Sequence, residues 1–378
     1  MPCVDILRKL IEFPVFEKDG MHKCAEFLSS ELGKAGFRIR VDSLDNVYGI
    51  KEFASGNGAF LIEDDLSGEP PVSNWTKMPL QLCVEGDRLY GLNVSDKAAI
   101  ATVLHVLQGL QRCRFRSLEV IFSAPKRVDS ILKPAERSPL ECFLAENKLE
   151  AALGINLTGT VRDDRFTVAV GCGGWIRFTV TTIGKEAHTA EPSWRTLGHN
   201  AIYDMMKVIE ALRRMPQAWM EFNDTDFWTE LSVSMIQGGI AVNIVPGECK
   251  ITCERRILPN ENLDDVKKEI ENTLRSVRDV ELKTTFSNSA RPYLIDRSSP
   301  AATLIIGSVQ HELAYTPKVA IEVGRTDSAI LDQMSNVKTI TIGPGEFFHE
   351  NKPDEYVSAK RIDEFTRIIR HILTEGAR

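Results

Sequence analysis

Hydrophobic period changes near residue 168 and reverts after Pro292, and that change limits the possible folds more than anything else in the sequence. Before it, strand-like segments are short continuous apolar runs such as "LEVIF", Leu118 to Phe122, alternating with amphipathic helical stretches. Strands of that kind are covered on both faces by crossover helices, so a largely parallel sheet is expected. After it, "WIRFTVTTI" alternates apolar and polar residues, as an antiparallel strand with one solvated face does. A chain of 378 residues that carries both patterns reads as an α/β domain interrupted by a smaller α+β unit.

The first part predicts helices on Val4 to Ile11 and Met21 to Leu32, strands at "FRIRV" and "GAFLI", a helix over "SDKAAIATVLHVLQGL" with Ser95 as N-cap, a helix near Leu140 to Leu149, and a strand at "AALGINL". The insertion predicts a helix from Asn200 to Met215, strands at "LSVSMIQG" and "CKITCERRIL", a helix through Leu263 to Leu274, and a strand at "VELKTTF". After Pro292 the α/β pattern resumes, with helices near Ala302 to Leu313 and Arg361 to Leu373 around "KVAI" and "VKTITIG".

Composition excludes several function classes. The net charge of -7 offers no basic surface, and no Lys/Arg run marks a nucleic-acid site. No apolar run approaches the roughly 18 residues of a membrane span. The eight cysteines are scattered without a C-x-x-C pair, as expected of buried thiols in a reducing cytoplasm, and "MPCVDILRKL" has no long apolar signal core. A cytoplasmic protein is expected.

One strand end poses a chemical question. "LEVIFSAPKRVDS" leaves a buried strand and runs into Lys126 and Arg127, at a place where open α/β sheets bind ligands. Four further strings bear on it: "GKEAHTAEPSWRTLGHNAI", "GGIAVNIVPGECKITCERRILP", "GRTDSAI" and "GPGEFFHENKPDEYV". In this order, and with "NWTKMPLQLCVEGDRLYGLNVSD" before them, they resemble the zinc-dependent deacylase and exopeptidase family that includes acetylornithine deacetylase, succinyl-diaminopimelate desuccinylase, aminoacylase and carboxypeptidase G. The resemblance covers nearly the whole chain. It implies a three-layer α/β catalytic domain with a mixed, mostly parallel sheet, residues 1–167 and 288–378, and an inserted α+β lid and dimerisation domain, residues 168–287.

It also implies two zinc ions at the strand ends, which activate a bridging water and polarise an amide carbonyl. The family holds them with H-x-D after one strand, a bridging Asp, a Glu-Glu pair whose first member is the general base, a further acidic ligand, and a C-terminal His. Carried over residue by residue, H-x-D falls on Glu63-Asp64-Asp65, so Asp65 remains and Glu63 replaces the His; a register shifted by two would use Asp65 and Ser67. The bridging Asp matches Asp96, the Glu-Glu pair falls on Lys126 and Arg127, the acidic ligand on Asn156, and the C-terminal His matches His349.

Physical chemistry gives these departures weight. Protonated Lys126 and Arg127 do not ligate zinc, and Arg stays protonated at any physiological pH. Two unit charges at 4 Å are worth about 4 kcal/mol at an effective dielectric of 20, and a divalent ion facing one cation meets roughly twice that in repulsion. Neighbouring carboxylates would raise the pKa of Lys126, so it does not replace the missing general base. No cofactor is therefore expected, with a single zinc on Asp96 and His349 as the alternative to a His349 that is merely hydrogen-bonded. Lys126 and Arg127 either pair with Asp65, Asp96 and Glu63 in the volume the metals left, or receive an anionic ligand.

The substrate-facing positions are better preserved. His188 matches the lid histidine that stabilises an oxyanion in the family. Asn243 and Arg256 match residues that hold the polar end and carboxylate of the substrate. Arg325, Asp327 and Gly345 belong to loops that line the pocket, Arg325 standing where the family usually has a small residue. The sequence thus leads to a family homologue that binds a small carboxylate-bearing, amino-acid-like ligand without metal-dependent hydrolysis. The alternative is an enzyme of altered chemistry acting on an acylated amino acid or amide through His188, Lys126 and Arg127. Expected partners are a second copy through the lid, or an active paralogue; neither nucleic acid nor membrane is expected.

Overall fold

The computed structural model describes residues 3–66, 68–125, 137–191, 198–322, 324–346, 349 and 352–375. The chain divides into one unit of Met1–Gly171, Leu294–Ile321 and Thr326–Arg378, and a second of Cys172–Tyr293 with Glu322–Arg325. The fold is α/β, as the pattern of periods required.

In the first unit, α1 (Cys3–Ile11) and α2 (Lys18–Lys34) precede β1 (Arg38–Val41), β2 (Val47–Glu52) and β3 (Ala59–Asp65). Short strands β4 (Cys83–Glu85) and β5 (Arg88–Tyr90) lead to α3 (Val94–Gln108), then β6 (Ser117–Ser123), α4 (Pro139–Glu146), β7 (Leu153–Asn156), β8 (Val161–Arg162) and β9 (Arg165–Cys172). Helix α3 is buried almost all round, which explains its long apolar sequence. Its N-cap is not Ser95, as the sequence predicted, but Asn93 in a left-handed conformation, φ 53. Ser95 lies inside the helix, and its N–H donates to the Glu355 carboxylate at 3.2 Å, an acid brought from far along the chain to the positive helix end. Helix α4 starts from a Ser138 capping box and stops at Glu146, short of the predicted Leu149.

The second unit holds β10 (Gly174–Ile183), α5 (Ala201–Arg213), a hairpin of β11 (Ala218–Phe222) and β12 (Thr225–Thr229), then β13 (Leu231–Gly238), β14 (Glu248–Ile257), α6 (Leu263–Ser276) and β15 (Glu281–Ala290). Its antiparallel sheet has the order β13-β14-β10-β15. Phe178, Val180, Ile251 and Cys253 meet Met205, Val208, Ile270 and Leu274 from the two helices in a core of its own. The polar alternation of "WIRFTVTTI" is the outer face of β10.

The chain continues through β16 (Tyr293–Leu294), α7 (Pro300–Leu313), β17 (Lys318–Glu322), α8 (Ser328–Ser335), β18 (Lys338–Thr341), β19 (Tyr356–Ser358) and α9 (Ala359–Thr374). The main sheet runs β1-β2-β6-β3-β7-β18-β9 in its central path. Its middle pairs, β6 with β3, β3 with β7 and β7 with β18, are parallel, while β1-β2, β2-β6 and β18-β9 are antiparallel. The parallel strands end together, so their carboxyl ends bring residues 63–65, 123, 156 and 341 to one edge of the layer.

Candidate functional site

Register creates the site. Glu63 stands opposite Asn156 on β7 and Ile121 on β6, and Asp65 opposite Ser123. Glu63 and Asp64 are buried, at 0% and 1% exposure, and Asn156 is 2% exposed. The Asn156 amide Nδ2 donates to Glu63 Oε2 at 2.8 Å. The Asn156 Oδ1 accepts the hydroxyls of Thr158 at 3.0 Å and Thr341 at 3.3 Å, and Thr341 lies 3.3 Å from the Ser328 hydroxyl. Three strand ends and the start of α8 are thereby tied through one amide side chain.

The surrounding charge is negative. Burial pushes the Glu63 carboxyl well up, and Asp327 and Asp65 add to the effect against the Asn156 hydrogen bond. Burial raises Asp64 as well, followed by Asp96, Asp65, Glu63 and Asp327. Glu63 Oε1 and Asp64 Oδ2 have no hydrogen-bond partner among the described residues. Asp327, at the head of α8, belongs electrostatically to this pocket, and so does Asp64, which the sequence marks only as the residue between two ligand positions. Lys97 escaped the sequence reading altogether: fully buried and 3.5 Å from the Phe13 carbonyl, it has its pKa lowered to about 8 by burial. A lone Lys beside Asp96 in an otherwise apolar helix was the available signal.

Gly345 sits where a side chain would not fit, since a Cβ there would come within 2.4 Å of the Ser95 Cβ. The Gly-Pro-Gly loop is thus pressed on the first turn of α3, beside Asp96. His349 turns elsewhere. Its Nε2 lies 3.3 Å from the Tyr356 hydroxyl, its ring packs on Tyr356 at 4.6 Å, and burial, Lys352 and Arg88 lower its pKa. Lys126, Arg127 and Ser67 lie outside the described residues.

The second unit carries His188, Asn243, Arg256 and Arg325. An antiparallel bridge holds His188 against Ile244, and the Thr189 N–H donates to the Asn243 carbonyl at 3.0 Å. The Ala190 N–H donates to His188 Nδ1 at 3.1 Å, and the Asn243 Nδ2 stands 3.3 Å from Nε2, so protein donors face both ring nitrogens. His188 is thus an exposed ring steadied by Ala190 and Asn243. Arg256 is not wholly free for a ligand: one amino group lies 3.1 Å from Glu254, which also accepts from Arg177 at 2.6 Å. The rest of the Arg256 fork is exposed.

Comparison with known proteins accounts for both units. Residues 170–279 match the M20 peptidase dimerisation domain. The chain superposes on the M20 family metallo-carboxypeptidase Sso-CP2 from Sulfolobus solfataricus with a TM-score of 0.80 at 16% identity, covering 98% of each chain. This is an M20 fold. In sequence the chain is 22% identical to the succinyl-diaminopimelate desuccinylase of Marinobacter nauticus over 99% of its length and 98% of that protein. It is also 22% identical to the acetylornithine deacetylase of Buchnera aphidicola over 92% of its length and 89% of that protein. The chain is thus a homologue of the M20 deacylases and peptidases.

The two zinc ions implied by the M20 resemblance do not fit the residues that stand here. Among the described residues, the group of three or more His, Cys, Asp or Glu side chains with ligand atoms within 4.8 Å of one another is His311, Glu312 and His371, and not Asp65, Asp96 and His349. At the position of the acidic ligand, Asn156 turns its NH₂ to Glu63, and an amide hydrogen is no metal donor. Among the described residues no helix is long and apolar enough to cross a membrane.

Proposed function

We propose that this chain binds a small carboxylate-bearing, amino-acid-like ligand and has lost the two-zinc hydrolysis of its M20 relatives. The observation that carries this reading is the Glu63-Asn156 hydrogen bond, in which the positions of two family ligands satisfy each other without a metal. Lys126 and Arg127, which the resemblance sets at the Glu-Glu pair, bring two cations and no general base. The part of the Arg256 fork left open by Glu254 receives the ligand carboxylate, with the exposed His188 ring on the same unit as a further polar group.

The test is binding and turnover on one panel of N-acetyl and N-succinyl amino acids, with metal analysis of the purified full chain. Expected are binding that weakens about tenfold or more in Arg256→Ala, no EDTA-sensitive turnover, and no zinc whose retention depends on Asp96. Two equivalents of zinc lost in Asp96→Asn, with hydrolysis that EDTA abolishes, overturn the proposal.

A second reading, an enzyme of altered chemistry, is favoured by the exposed His188 ring held in place by Ala190 and Asn243, because preorganised polar groups stabilise an oxyanion without zinc. Turnover that persists in EDTA and disappears in His188→Ala supports it; no turnover across the panel removes it. For the partner we infer a homodimer through the second unit. β13 is an outer strand of its sheet, and exposed Met235 and Ile236 on it accompany exposed Tyr203 and Met206 on α5. Sedimentation at micromolar concentration should give a dimer that Ile236→Lys dissociates; a monomeric wild type overturns the inference, and leaves an active paralogue as the candidate partner.

A further inference from the structure

The last turns of α7 and α9 bring together two imidazoles and two carboxylates, away from the acidic pocket. One nitrogen each from His311 and His371 and one Glu312 oxygen lie within 4.8 Å of one another. The two rings are 4.3 Å apart between centroids, and Glu375 Oε2 is 3.6 Å from His371 Nε2. The geometry points to a transition-metal site, of the kind that takes Zn²⁺, held by His311, His371 and Glu312 with Glu375 as fourth donor.

Three features make this more than a chance meeting of polar groups. The first is the proton on His371. The Ser308 hydroxyl gives its one hydrogen to the Leu304 carbonyl at 2.8 Å, so at 3.0 Å from His371 Nδ1 it accepts, and Nδ1 bears the proton. The Nε2 lone pair then faces Glu375, and His371 has the oriented tautomer of a metal-ligating His with a partner behind it. The second is Glu312. Arg367 donates to its backbone carbonyl at 2.8 Å and stays 3.8 Å from Oε2, while Oε1 is turned to His311 at 3.2 Å. The third is the field: His311 and His371 are both in the last turn of their helices, where the unsatisfied carbonyls favour a cation.

Tetrahedral zinc at about 2.0–2.2 Å from N and O sets its donors about 3.3 Å apart, so the cluster has to contract. The His311 side chain is 64% exposed and that of Glu375 62%, and both move at little cost, while the largely buried His371 is already fixed by Ser308. Two imidazoles with carboxylates select Zn²⁺, Cu²⁺ or Ni²⁺ over Ca²⁺ and Mg²⁺. A bound ion cross-links α7 to α9 and braces the first unit. No step of the proposed ligand binding uses it.

The experiment is a zinc titration of the tag-free, chelator-stripped full chain in competition with a chromophoric chelator, with the melting temperature followed in parallel. Expected is one equivalent of Zn²⁺ that raises the melting temperature, weakens at least tenfold in His311→Ala and in His371→Ala, weakens roughly 10–100-fold in Ser308→Ala, and is unchanged in Asp96→Asn. The exposed His311 decides the matter if His371→Ala fails to fold. Absence of a bound equivalent, binding that survives His311→Ala, or binding lost only in Asp96→Asn overturns the assignment; the last result would instead place the ion in the acidic pocket.

Discussion

Glu63→Gln should stabilise this protein, against the usual expectation for a substitution at a fully buried polar residue. Glu63 has 0% exposure, an Oε1 without a hydrogen-bond partner among the described residues, and Asp327 and Asp65 as like-charged neighbours that raise its pKa. A like charge within about 4–6 Å is worth roughly 3–4 kcal/mol at an effective dielectric of 20. The folded chain avoids most of that by keeping the carboxyl protonated. In the unfolded chain the carboxyl loses its proton near pH 4.3, so above that pH the folded state binds more protons and stability falls as pH rises. Gln keeps an oxygen for the Asn156 amide and holds no proton against the solvent, so it removes this slope. The expected gain is about 1–3 kcal/mol at pH 7.5, about 2–4 °C in melting temperature per kcal/mol, and it vanishes near pH 4, where both states are protonated. Urea denaturation in EDTA at pH 4.5, 6 and 7.5 measures it. A loss of 2 kcal/mol or more at pH 7.5 would refute the reasoning: Glu63 would then be ionised and paired with a cation, and Lys126 or Arg127 would be its source.

Other buried groups should respond differently. Lys97→Met should stabilise the chain by about 3 kcal/mol at pH 7, because the lysine pKa lowered to about 8 means the unfolded state binds more protons between pH 8 and 10.5, and wild-type stability rises relative to the variant across that window; pH-dependent denaturation checks the slope. Glu119→Gln should cost about 1–2 kcal/mol, since this buried carboxylate accepts from the Tyr48 hydroxyl at 2.6 Å and the Ala151 and Glu150 amides at 2.7 and 3.1 Å, and a Gln whose oxygen keeps the two amides turns its NH₂ to the hydroxyl, which loses its acceptor there. Phe178→Ala should cost about 3–5 kcal/mol in the core of the second unit, read by denaturant unfolding.

The sequence carried the fold where the signal was local. Hydrophobic period separated parallel from antiparallel strands, and Asn200 and Asn262 cap α5 and α6 through their own side chains. The Trp-bearing hairpin β11-β12 was missed although a signal existed: Asn223 and Asp224 have φ of 50 and 59, the left-handed pair that a two-residue hairpin turn demands. The N-terminus of α3 was not legible, because its cap is the distant Glu355 rather than the adjacent Ser95. The site was legible as positions and not as contacts. Spacing assigned Glu63 and Asn156 separately; only the parallel register of β3 on β7 makes them partners. His349 matched by order in the chain, yet its side chain takes Tyr356, a direction that no spacing encodes.

Glu63 and Asn156 stand at positions that the resemblance gives to two zinc ligands, and in this structure each makes the other tolerable. An acid at 156 would set a second buried carboxyl against Glu63, whereas Asn gives Glu63 a hydrogen and still accepts from Thr158 and Thr341. The two therefore form one unit, and restoring either family residue alone should break it. Asn156→Asp should cost about 1–3 kcal/mol at pH 7.5, because the NH₂ donor is lost and a second buried carboxyl is added. Glu63→His in the same chain should recover much of that loss, since an imidazole offers the new carboxylate an N–H. A double-mutant cycle measures this directly: contacting residues couple by about 0.5–3 kcal/mol, and independent sites add within about 0.5. Additive effects of the two substitutions would mean that the pair is incidental, and would take from the proposed function the observation on which it stands.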